Sequence, residues 1–114
     1  MAKYEKTFKG NFSQFKDYIQ SSIMNGSASV SYEDGSDITM GDTKLSVQVY
    51  ERYSMAGGNR VSLNITILGN EDDIFVSAIT SGGSQAVFFK INTIGEETFL
   101  DLCVSAVEKY ISNN

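Results

Sequence analysis

Residues 60–68 read RVSLNITIL. Val61, Leu63, Ile65 and Ile67 alternate strictly with Ser62, Asn64 and Thr66. A period of two puts one set on each side of a β-strand, so this stretch predicts a strand with one apolar face. The preceding run, KLSVQVYERY at 44–53, alternates the same way, with Leu45, Val47 and Val49 against Lys44, Ser46 and Gln48. Directly paired residues share a face, so bringing the two apolar sets together demands an odd-length loop. Three residues, Ala56-Gly57-Gly58, would pair Val49 with Ile65 and Val47 with Ile67, with a glycine in the left-handed region.

The alternation extends in both directions. Upstream, SASVSY (27–32) places Ala28, Val30 and Tyr32 on one face, and Asp34-Gly35 reads as a hairpin turn. Ile38 and Met40 follow, and Gly41-Asp42 turns the chain again. Downstream, DIFVSAIT (73–80) points Ile74, Val76 and Ala78 inward, and AVFFKI (86–91) points Val87, Phe89 and Ile91 inward. A two-residue turn at Gly82-Gly83 pairs Ala78 with Val87 and suits central residues that need positive φ. A phosphate-cradling loop needs a helix after its glycines, whereas SQAVFFKI is strand-like, so Ser81 and Ser84 read as turn flanks. The other side of this hairpin carries Phe75, Ile79, Ala86 and Phe88, joined by Leu68. Strands that are apolar on both sides are covered on both sides. One side takes a helix. The other needs more of the chain, a second subunit or a bound apolar molecule.

Two segments have helical spacing. In NFSQFKDYIQSSIMNG (11–26), Phe12, Phe15, Ile19 and Ile23 share a face, Asn11 is the N-cap with Gln14 as its partner, and Asn25-Gly26 ends the helix. In GEETFLDLCVSAVEKYISN (95–113), Phe99, Leu102, Cys103, Ala106, Val107 and Tyr110 share a face, with Thr93 and Glu96 as the capping box. The N-terminal KYEKTFKG (3–10) alternates Tyr4, Lys6 and Phe8 against Lys3, Glu5, Thr7 and Lys9 and predicts a first strand. The whole is one α+β domain, residues 1–114, with an antiparallel sheet of about six to seven strands in the order β-α-β-β-β-β-β-β-α. The sheet packs against the long C-terminal helix and the shorter N-terminal one. That order is similar to helix-grip domains, in which a sheet wraps a C-terminal helix, and to TBP-like domains, in which a flatter sheet carries its helices on one face. The segments YERYSMAGGNRVSLN and SAITSGGSQAVFFKIN…GEE also resemble a small family of functionally uncharacterised proteins from Gram-positive bacteria. That resemblance brings no activity and no catalytic residues.

Composition narrows the function. The net charge is −5 and the pI about 4.5, with Arg52 and Arg60 the only arginines, which argues against nucleic-acid binding. The chain has no histidine, the commonest general base and metal ligand. Its single cysteine, Cys103, lies mid-way along an apolar helix face and reads as packing rather than as a nucleophile. The N-terminus lacks an apolar leader, no run is long enough to cross a membrane, and the expected location is cytoplasmic. The acidic clusters at 33–37 and 70–73 lack calcium-loop spacing and read as solvated turns. Glu51, in phase with Leu45, Val47 and Val49, reads as a strand-end residue, with a raised-pKa acid or an arginine partner as the other readings. No metal or cofactor is expected.

Two groups of residues remain as candidates. Tyr50, Arg52, Tyr53, Met55 and Arg60 combine arginines with tyrosines around a glycine loop, a composition suited to recognising an anion or a partner. Leu68, Phe75, Ile79 and Phe88 form the second apolar face, a candidate oligomer interface. The expected function is a non-catalytic interaction module that forms a homodimer or larger homo-oligomer. The alternative is a binder of a small apolar or anionic ligand between the sheet and the C-terminal helix.

Overall fold

A computed structural model describes residues 1–54, 59–82 and 89–113. The chain runs β1 (Ala2–Lys9), α1 (Phe12–Gly26), β2 (Val30–Met40), β3 (Thr43–Ser54), β4 (Asn59–Asn70), β5 (Asp73–Gly82) and α2 (Phe89–Ser112). The strands make one antiparallel sheet in the spatial order β1-β5-β4-β3-β2. Strands β2 to β5 form a meander. Helix α1 carries the chain from β1, on one edge, to β2 on the other.

Both helices lie on the same face of the sheet. Phe15, Ile19 and Ile23 of α1 and Phe99, Cys103 and Val107 of α2 are fully buried in one core with Leu63, Ile65, Ile67, Ile74, Val76 and Ala78. Helix α1 starts as its sequence predicts: the Asn11 side chain accepts the Gln14 amide at 2.9 Å, which satisfies one of the free donors of the first turn. At one end, Phe8, Phe15 and Tyr110 meet edge to face, with ring centroids 4.8 to 6.0 Å apart, and tie β1, α1 and α2 together.

The sheet has five strands rather than about six or seven, for two reasons. Asp34-Gly35 is not a turn: β2 is continuous through it, with a register shift between Tyr32 and Asp34. Such a bulge adds one residue and moves all later side chains to the opposite face. Val30 and Tyr32 therefore point toward the helices, while Ile38 and Met40 point away. Downstream, Gly82 belongs to β5 and pairs with Val61, and α2 begins at Phe89. Phe89 and Ile91 are thus helical rather than in a strand, and Thr93 and Glu96 lie within the helix rather than at its cap. A short apolar run such as AVFFKI fits a strand or a buried helix equally by periodicity, and Gly95 is tolerated within a helix at a cost of about 1 kcal/mol. Gly83, Ser84 and the stretch from Gln85 to Phe88 lie outside the described residues.

The β3–β4 register also differs from the predicted one. Ser54 pairs with Asn59 across four intervening residues, an even number, so Val49 faces Asn64 and Val47 faces Thr66. The loop residues themselves, Met55 to Gly58, lie outside the described residues. Strand β3 consequently presents Ser46, Gln48 and Tyr50 to the helices, all buried, and Leu45, Val47 and Val49 to the other side. Two of these buried polar groups partner each other, the Tyr50 hydroxyl donating to Gln48 Oε1 at 2.5 Å.

Two-residue turns close the other hairpins. Gly41, φ +60°, serves the β2–β3 turn and Glu71, φ 55°, the β4–β5 turn. Gly35 is required for a different reason. A Cβ there would stand 2.7 Å from the Val47 carbonyl oxygen and 2.1 Å from the Tyr32 hydroxyl. Tyr32 lies over this bare backbone and meets the Tyr50 ring at a centroid distance of 5.5 Å. Gly35→Ala is expected to lower stability by about 1–3 kcal/mol in urea unfolding, because the opposing carbonyl belongs to the ladder and cannot yield. An unchanged midpoint would show that the bulge is placed elsewhere.

Candidate interaction face

The sheet surface opposite the helices is the candidate site. The ladder registers arrange it as rows running across the strands. One row reads Ile38, Leu45, Leu68, Phe75 and Thr7, from the β2 edge to the β1 edge. The next reads Ser36, Val47, Thr66, Ser77 and Glu5, and the third Asp34, Val49, Asn64, Ile79 and Lys3. Ile38 is 50% exposed, Leu68 40% and Ile79 37%. Met40, at the end of β2, is 72% exposed on the same side. A row of four apolar side chains crosses the sheet where none of the described residues covers it.

Three of the four predicted interface residues, Leu68, Phe75 and Ile79, are on this face, with Leu68 and Phe75 directly paired. Phe88 lies outside the described residues. Ile38, Leu45, Val47 and Val49 also belong here and were missed, because the parity argument turned the β3 set inward. The signal that would have found them is the even length of the β3–β4 loop.

The structure divides the arginine–tyrosine group. Tyr50 is fully buried beneath the helices. Arg52 also points to the helix side, with its guanidinium 4.7 Å from the centroid of the Phe99 ring, a cation–π contact. Tyr53 and Arg60 are paired across the ladder on the outer face. Met55 lies outside the described residues. Arg60 Nε bonds Glu51 at 2.8 Å, and its Nη2 lies 3.6 Å from Glu33. Glu51 is therefore on the outer face, paired with an arginine, rather than on the helix side. These side chains form a polar border at the end of the face away from Ile38 and Phe75.

Among the described residues, no group of three or more acidic or cysteine side chains is placed to hold a metal ion, and no helix is long and apolar enough to cross a membrane. From α2, Phe99, Cys103 and Val107 pack onto the sheet within the buried core. Cys103 is fully buried there, and burial pushes its thiol up to about 12. Burial likewise raises Tyr50, and raises Tyr4 together with its hydrogen bond to Glu108. That bond, with Lys6 nearby, holds the Glu108 carboxyl below its ordinary value.

The folded chain keeps the Cys103 proton to a higher pH than the unfolded chain does. Its contribution to stability is complete below the ordinary thiol value of 9.0 and is lost as pH rises toward about 12. The two tyrosines act in the same direction. Thermal melting is expected to fall progressively above about pH 9. Cys103→Val should flatten the first part of that decline. An identical profile in the variant would show that the thiol does not contribute.

A comparison with curated proteins finds no match. A family model described as a family of unknown function, DUF6054, matches residues 1–111. The match spans both helices, the whole sheet and the uncovered face, and the chain belongs to the DUF6054 family.

Proposed function

We propose that the chain is a non-catalytic interaction module that associates with copies of itself through the outer face of its sheet. The observation that supports this reading is the uncovered row from Ile38 to Phe75. The core side of the sheet already carries both helices, so the outer apolar side chains have no remaining partner among the described residues. Burying such a face against a second copy removes apolar area from water at about 25 cal/mol per Å². Chemistry has little to work with. The chain lacks histidine, and its one thiol is buried and keeps its proton. A lone reduced cysteine also fits a cytoplasmic protein.

Leu68 is exposed and central on the face, so a charge there leaves the core intact. Leu68→Lys is expected to convert an assembly into a folded monomer, measured by light scattering after size exclusion, with circular dichroism unchanged. Retention of the assembly would overturn the reading.

A further inference from the structure

The transverse rows also constrain how two copies meet, on the reading that this face self-associates. Each row ends on β2 at one edge and on β1 at the other. In the third row those ends are Asp34 and Lys3. Both are exposed, and among the described residues neither is placed in an ion pair within its own chain. They are separated by four strand spacings, about 19 Å, too far to meet within one molecule.

We infer that the outer face forms a two-fold dimer whose axis runs parallel to β4, stacking the two sheets so that Lys3 of each copy meets Asp34 of the partner subunit. Such an axis carries the β1 edge of one copy over the β2 edge of the other and leaves every row above its own counterpart. Leu68 then lies on Leu68 of the partner subunit, and Val49 lies on Ile79 of the partner subunit. An in-plane axis perpendicular to the strands would instead reverse the order of the rows. It would set Leu68 over Asn64 of the partner subunit and Asp34 over Ile38 of the partner subunit, placing a carboxylate on an apolar side chain.

Size supports the same arrangement. Five strands at about 4.8 Å, each about ten residues long, present roughly 800 Å² per copy. That is the contribution per partner of a standard stable interface. Aligned sheets pack about 10 Å apart, which leaves the edge charges within reach of a lysine side chain.

The test uses the full chain and two single variants. Lys3→Asp places like charges at both edge contacts, and so does Asp34→Lys. Each alone should weaken dimerisation about tenfold at low salt, with much of the effect lost at high salt. Mixing the two variants restores both opposite-charge contacts in the mixed dimer. Sedimentation of the mixture should therefore return to the wild-type dissociation constant. If mixing fails to restore affinity while Leu68→Lys still gives a monomer, the face associates but the axis is wrong. If the wild-type chain is monomeric, bare or carrying the extra mass of a bound apolar molecule in a native mass spectrum, self-association itself is wrong and the axis falls with it.

Discussion

The ladder between β3 and β4 determines the character of both surfaces of the sheet. With Val49 opposite Asn64, strand β4 sends Leu63, Ile65 and Ile67 to the helices while β3 sends Ser46, Gln48 and Tyr50. A shift of one residue would exchange the β3 sets and bury Leu45, Val47 and Val49 instead. The observed pairing is made tolerable by the Tyr50–Gln48 hydrogen bond, which removes the cost of an unpartnered amide in the core. It also leaves apolar side chains on the side that none of the described residues covers.

The bulge in β2 extends this division to the edge of the sheet. Before it, Val30 and Tyr32 serve the core. After it, Ile38 and Met40 join the outer face, and Asp37 turns toward α1, where Lys16 lies 3.5 Å away. One added residue thus lets a single strand contribute to the core at its start and to the open surface at its end. Gly35 and Tyr32 hold the geometry at the crossover, the one lacking the side chain that would collide and the other covering the exposed backbone.

The helices were largely legible because their signals are local. The Asn11 cap, the spacing of Phe15, Ile19 and Ile23, and the apolar stripe from Phe99 to Val107 all depend on neighbours a few residues away. The alternating strands β1, β3, β4 and β5 were equally plain. Which side of β3 faces the core was not, because that depends on pairing parity and hence on loop length, and two apolar faces compete for one helix layer. The Asp34-Gly35 pair has turn composition but sits in a bulge, where glycine is needed for space. The run before α2 is too short and too apolar to show a period. For the candidate face, Leu68, Phe75 and Ile79 could be identified from strand alternation, but their neighbours on β2 and β3 required the register.

The two edge strands bear on how far assembly can proceed. An unprotected edge invites a further strand from another molecule, and growth by that route has no natural end. Here one edge carries the β2 bulge with Glu33, Asp34 and Asp37, and the other carries the lysines of β1. Like charges at each border oppose pairing of β1 with β1 or of β2 with β2, and the bulge twists the β2 edge away from any further strand. A contact through the open face, by contrast, consumes that face in each participant. On the proposed self-association, closure at a finite number of copies, rather than fibre growth, follows from one associating surface bordered by rims of this kind.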